Sequence, residues 1–219
     1  MESDACAELR QYVSDETLAS LPRVSFPANV TFIKSDAEDK ISNYFILEGT
    51  VSVHALANTG REFWIDSLGP GDFIGKFSQM RGNNFNCEVR TDEPCKMIVL
   101  TDVLDELLED KDFNIYFGRR ITDRLYAMYK RLMLRLLFSY DEVLAYYLLK
   151  AVEGRDAGFA PRIEPLRRVM NVSERQFYYL LKNMEHDGLI RRVGRGRIKL
   201  TNCAGLKRAA HDVSDFMNN

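Results

Sequence analysis

The sequence predicts an α+β protein in three parts: an N-terminal antiparallel β-roll of jelly-roll type (residues 1–110), a long central helix (111–139) and a C-terminal domain of helices with one β-hairpin (140–219). Three observations carry this. Short alternating or β-branched runs, cut by glycine and asparagine turns, fill the stretch from Val30 to Leu100. From Asp112 to Phe138 apolar residues recur at spacings of three and four, the period of a helix. Two Ser-x-x-Glu/Gln helix-start signals and a glycine-rich basic hairpin follow.

In chain order, residues 2 to 20 read as one helical segment of modest amphipathicity, ended by Pro22 and Pro27. Strands are expected at Val30–Lys34, Asn43–Leu47, Val51–His54 and Arg61–Ser67, with turns at Gly49, Asn58-Thr59-Gly60, Gly69-Pro70-Gly71 and Gly82-Asn83-Asn84. On the central helix, Ile121, Leu125, Met128, Leu132 and Leu136 form one apolar seam; Phe117, Tyr126, Tyr129, Met133 and Leu137 form another. One helix then has two surfaces to bury. The economical arrangement packs one face on the chain's own β domain and pairs the other, Ile121 to Leu136, with a second copy in coiled-coil fashion. A single enclosed core helix is the alternative.

Ser139-Tyr140-Asp141-Glu142 is a capping box that starts a new helix through Val143, Leu144, Tyr147, Leu148 and Val152, stopped by Gly154. The helix therefore breaks near Ser139, where a joint between domains is expected. Pro165–Met170 reads as a short helix and Asn171-Val172 as a turn, asparagine being tolerant of a left-handed backbone. Ser173-Glu174-Arg175-Gln176 is a second capping box, launching a helix with Phe177, Leu180, Leu181 and Met184 inward and Gly188 as its stop. Leu189–Val193, Gly194-Arg195-Gly196 and Arg197–Leu200 form a hairpin.

Charge separates these parts. Net charge is −2 over 219 residues, but Arg162–Arg208 carries twelve Lys and Arg against four acids, +8, leaving −10 elsewhere. The last quarter calls for an anionic partner. Helix, tight turn, helix and basic hairpin form a winged helix-turn-helix, in which a helix N-terminus shows its first side chains to base edges while flanking cations hold phosphates. Double-stranded DNA is the expected partner. The candidate contacts are Ser173, Glu174, Arg175, Gln176, Tyr178, Tyr179 and Lys182 on the helix, with Arg195 and Arg197 on the hairpin. Arg175 can fork onto guanine, Gln176 onto adenine, and Glu174 can accept from cytosine.

Leu47–Val53, Gly60-Arg61-Glu62 and Leu68–Gly75 resemble the glycine-bearing turns of the cyclic-nucleotide-binding β-roll of Crp/Fnr transcription regulators, and the C-terminal motif is similar to the DNA-binding domain of the same family. The resemblance covers Val24 to Leu200 and implies a homodimer on palindromic DNA, with RNA polymerase and a small-molecule effector of unknown identity as further partners. In relatives that bind cyclic AMP, the glycine at position 75 is followed by a glutamate for the ribose, and an Arg-Ser or Arg-Thr pair farther on neutralises the phosphate. Here those positions read Lys76, Phe85 and Asn86. Without the guanidinium a buried phosphate lacks its bidentate partner, so cyclic AMP is not the expected effector. Gly75, Lys76, Phe85 and Asn86 remain the candidate effector pocket. Relatives also show Arg-Glu-x-x-x-Arg where this chain has Glu174–Tyr179, so its operator should differ; the paired tyrosines resemble the YeiL-like branch.

No cofactor or metal is expected. Cys6, Cys87, Cys95 and Cys203 lack metal spacing, and only Cys6 stands where family oxygen sensors place an iron–sulfur cluster. His54 alone in the β half supplies neither a haem site nor the histidine-rich metal centre of a cupin-type enzyme, the main rival. A dimeric scaffold that has lost DNA binding is the second rival. The acidic start lacks the order of a secretory signal, and Lys130, Arg131 and Arg135 interrupt the best apolar run, so a cytoplasmic, non-enzymatic regulator is expected.

Overall fold

The computed structural model of the protein describes residues 4–34, 42–57, 59–60, 62–75, 87–156 and 159–218. It forms two compact units, Met1–Met128 and Tyr129–Asn219.

In the first unit the expected single N-terminal helix is two, α1 (Asp4–Leu9) and α2 (Asp15–Ser20). The cause is Ser14, whose hydroxyl accepts the N–H of Thr17 at 3.1 Å and so begins a new helix instead of continuing the old one. Strands β1 (Arg23–Phe26), β8 (Cys95–Val99), β3 (Tyr44–Glu48) and β6 (Phe73–Ile74) make one antiparallel sheet in that spatial order. Strands β2 (Thr31–Ile33), β7 (Cys87–Thr91), β4 (Val51–Leu56) and β5 (Glu62–Leu68) make the other. This is the antiparallel roll the sequence predicts, but β1, β6, β7 and β8 go beyond the four strands placed above, β1 lying between the two prolines where the sequence marks only a helix end.

A short helix α3 (Leu104–Leu107) leads into α4 (Lys111–Leu137), the central helix. In the first unit, Phe113, Tyr116 and Phe117 of α4 are buried against Phe45, Phe73, Ile98 and the N-terminal helices. The Phe73 ring lies 4.9 Å from that of Phe117 and 5.0 Å from that of Phe45. Ile121, assigned above to the seam that pairs with a second copy, packs at the edge of this same core. One turn on, two arginines on the same face grip the roll. Arg120 Nε donates to the Gly71 carbonyl (2.9 Å), Arg124 Nη1 donates to the Phe73 carbonyl (2.8 Å), and Arg124 Nε lies 3.3 Å from the Asp66 carboxylate. Gly71 has φ of 89°, a left-handed backbone that favours glycine; a Cβ there would also displace the end of the Arg120 side chain.

The second unit holds α5 (Tyr140–Val152), α6 (Ile163–Met170), α7 (Glu174–His186), the hairpin β9 (Ile190–Arg192) and β10 (Ile198–Leu200), then α8 (Cys203–Ala209) and α9 (His211–Asn218). Its core gathers Leu134, Leu144, Leu148, Phe177, Leu181, Ile198, Leu206 and Val213. The capping box at Ser139 forms in full, with Glu142 accepting from the Ser139 N–H at 2.8 Å. Leu134 before the break and Leu144 after it share this one core. The end of α4 is fastened further by Lys130, which donates to the Met217 carbonyl (3.0 Å), and Arg135, which donates to the Met170 carbonyl (3.3 Å). Helices α8 and α9 go beyond the elements expected above. Their signal is nonetheless legible, since Leu206, Ala210 and Val213 recur at helical spacing and Asn202 caps α8 by accepting from Gly205 N at 2.8 Å.

Candidate nucleic-acid interface

The interface begins at a turn. Asn171 adopts the left-handed conformation (φ 49°, ψ 37°), and its N–H returns to the carbonyls of Arg167 and Arg168 at 3.2 and 3.1 Å, closing α6. Two residues later Ser173 opens α7 by accepting the N–H of Gln176 at 3.2 Å. Only the serine half of the predicted box forms there, which leaves the Gln176 side chain outward and exposed. Phe177, Leu180, Leu181 and Met184 are buried as the spacing requires. The opposite side of α7 is therefore fixed by elimination: Ser173, Glu174, Arg175, Gln176, Tyr178, Tyr179 and Lys182 all face solvent. Tyr179 is 63% exposed and Tyr178 41%, so neither tyrosine is consumed by packing on the hairpin.

The hairpin follows this helix, with Arg191 opposite Lys199 and Arg192 opposite Ile198. Its tip, Gly194-Arg195-Gly196, has three consecutive positive φ angles, 70°, 49° and 64°. The cations of the interface fall into two groups. Arg167 is held bidentately by Glu164 (2.8 and 3.0 Å), Arg192 meets one oxygen of Glu185, Oε2, with both Nε and Nη2 (2.8 and 2.7 Å), and Arg197 donates to the Ala160 carbonyl at 2.9 Å. The side chains of Arg175, Lys182, Arg191, Arg195 and Lys199 make no hydrogen bond or ion pair among the described residues and are exposed. Arg195 and Arg197, alike in sequence, thus differ in kind: one is free at the tip, the other ties the hairpin down. The Glu185 carboxyl sits below its usual range because the Arg192 N–H and guanidinium favour its charged form.

Of the candidate effector residues, Gly75 directly follows β6 with φ of 117°, packed so closely on Ser42 and Asn43 that a Cβ would collide with them. Lys76, Phe85 and Asn86 lie outside the described residues. His54 is buried with its Nδ1 2.5 Å from Glu62, which also meets Arg90 at 3.0 Å. Among the described residues no three His, Cys, Asp or Glu gather as a metal ion would need. Burial pushes the Cys87 and Cys95 thiols up to about 11. No helix among the described residues is long and apolar enough to cross a membrane.

Of the proposed seam on α4, Leu125, Leu132 and Leu136 are exposed and Met128 is half-buried; Tyr126, Tyr129 and Leu137 are exposed too. Phe117 of the second set is buried in the first unit, and Leu134, in neither set, in the second.

Residues 23–111 match the cyclic nucleotide-binding domain family. Among solved structures, TTHA1359, a CRP/FNR-family transcriptional regulator from Thermus thermophilus, matches with a TM-score of 0.67 at 18% identity, covering 87% of this chain and 98% of its own. The chain has the CRP/FNR fold. CLP of Xanthomonas campestris, a c-di-GMP-responsive global regulator, matches this fold with a TM-score of 0.72 at 18% identity over 85% of this chain and 96% of its own. A CooA variant from Carboxydothermus hydrogenoformans matches with a TM-score of 0.70 at 15% identity over 96% of this chain and 98% of its own. No curated relative matches by sequence. Within the CRP/FNR fold, the family match spans the roll from β1 to the first residue of α4, and the interface built above lies wholly beyond it.

Proposed function

We propose that the protein is a sequence-specific DNA-binding transcription regulator of the CRP/FNR type, acting as a homodimer on a palindromic site and not controlled by cyclic AMP. The observation that carries this is the pairing of an outward row from Glu174 to Lys182 with three unengaged hairpin cations, Arg191, Arg195 and Lys199. A capped helix beside a basic hairpin offers base-edge groups and phosphate ligands together. In this reading residues 1–110 sense, 111–139 dimerise and 140–219 bind DNA, with two recognition helices held about 34 Å apart to match one turn of the duplex. The exclusion of cyclic AMP rests on Lys76, Phe85 and Asn86 replacing the ribose and phosphate ligands of relatives. The YeiL-like assignment rests on Tyr178 and Tyr179 alone. RNA polymerase and an unnamed effector remain further partners of this reading.

The test is selection of bound duplexes from a random pool by purified, ligand-free protein, followed by affinity across a salt series. A palindrome bound with a steep salt dependence supports the reading. Arg175→Ala should then cost ~1–3 kcal/mol on the selected site and relax preference at one base pair. No enrichment, with or without cellular small molecules, would favour the scaffold alternative.

A further inference from the structure

The hairpin's placement depends on its base. Two glycines flanking Arg195, all three residues left-handed, make the tip permissive, so its position must be imposed from the strands that carry it. Along β10 the hold is made largely by backbone: Ile163 N donates to Gly196 O (2.8 Å) and Ile198 N to Pro161 O (3.0 Å). Along β9, beside the burial of Ile190 and the bond from Leu189 N to Met184 O (2.9 Å), a side chain of the recognition helix adds its own hold. Glu185 Oε1 accepts the backbone N–H of Arg192 at 2.8 Å, while Oε2 takes Nε at 2.8 Å and Nη2 at 2.7 Å. One carboxylate thus fixes both the backbone and the guanidinium of the last residue of β9.

We propose that Glu185 is a positioning residue for DNA recognition: by holding Arg192 it sets the hairpin relative to α7, so that an acid inside a strongly basic interface raises specific affinity. This inference rests on the DNA-binding reading above. Its consequence opposes simple electrostatics. Removing Glu185 adds one unit of positive charge to the interface and releases Arg192, and counterion release then favours tighter binding to any duplex. Loss of position works the other way, because Arg191, Arg195 and Lys199 no longer meet phosphates in register with the side chains of α7.

The experiment uses the full-length protein, its selected duplex and a scrambled duplex of equal length, each across a salt series. Glu185→Gln keeps an acceptor for the Arg192 N–H and loses the charge. It should bind the selected duplex about three- to tenfold more weakly while binding the scrambled duplex at least as well as the wild type. Exchanging the pair (Glu185→Arg with Arg192→Glu) should recover specific affinity relative to Glu185→Arg alone, which also guards against a variant that merely folds poorly. Glu185→Gln binding the selected duplex as tightly as wild type, or more tightly, overturns the inference alone. A wild-type protein without sequence preference defeats the DNA-binding reading and this inference with it.

Discussion

Replacing Leu132 and Leu136 together by glutamate tests the proposed dimer helix on its exposed apolar seam. Leu132 is 53% and Leu136 70% exposed, so each retains more than half of the apolar surface that a partner could cover. Full burial of a leucine is worth about 1.5–3 kcal/mol, which leaves ~1–2 kcal/mol per side chain for association. A twofold axis presents four such side chains, so ~4–8 kcal/mol is at stake, or roughly three to six decades in dimer Kd. Glutamate keeps helix propensity, and neither leucine belongs to the monomer's buried core, so circular dichroism should show an intact fold. Sedimentation equilibrium should show a tight wild-type dimer and a variant that is monomeric at micromolar concentration. A wild type that is monomeric there, or a double variant with unchanged Kd, would refute the reasoning.

Arg124→Ala removes a guanidinium only 18% exposed that serves both the Phe73 carbonyl and the Asp66 carboxylate. Asp66 keeps the Ser67 N–H at 3.0 Å, so the loss should be ~2–3 kcal/mol rather than the larger cost of an abandoned charge, read by chemical denaturation. Native-state labelling with a thiol reagent near neutral pH should modify Cys203 first. It is exposed, whereas Cys6 and Cys95 are buried and the Cys87 and Cys95 thiols are pushed up to about 11. Glu185 predicts a pH dependence with a definite sign. Its carboxyl is depressed in the folded state, so its stabilisation is present above the unfolded value and lost as pH falls through the folded one. The thermal advantage of wild type over Glu185→Gln should hold at neutral pH and vanish only once the pH has fallen below the ordinary glutamate range.

How much of the fold is legible in the sequence follows from the range of the interactions. Ser139, Asn171 and Ser173 act within a few residues of themselves, and a cap or a left-handed turn is written in the residue that makes it. The inward row Phe177, Leu180, Leu181 and Met184 is equally local, because helical period alone decides it. Ser14 and the Leu206, Ala210 and Val213 spacing carry the same local signal, which an expectation of one N-terminal helix and a terminal hairpin leaves out. The α4 face is different. Apolar spacing cannot assign Ile121 to a core and Leu125 to solvent; the deciding partners are Gly71, Asp72 and Phe73, about fifty positions away, and they select arginines at 120 and 124 that a hydrophobic pattern ignores.

The basic hairpin shows the same limit within the candidate site. Counting charge predicts an anionic partner but treats Arg191, Arg192, Arg195, Arg197 and Lys199 as equivalent. Tertiary geometry sorts them into cations that hold the hairpin, Arg192 through Glu185 and Arg197 through Ala160, and cations left for a ligand. The two groups should separate in a salt series. Neutralising Arg195 removes a phosphate ligand and should flatten the slope of log affinity against log salt by about one unit, on selected and scrambled DNA alike. Replacing Arg197 by methionine, which keeps much of its aliphatic stem, should lower affinity for the selected duplex while changing the slope less, because its guanidinium is spent on a carbonyl of its own chain. Equal slope changes for both variants would mean that Arg197 leaves Ala160 to meet DNA, and the division of labour drawn from the free protein would fail.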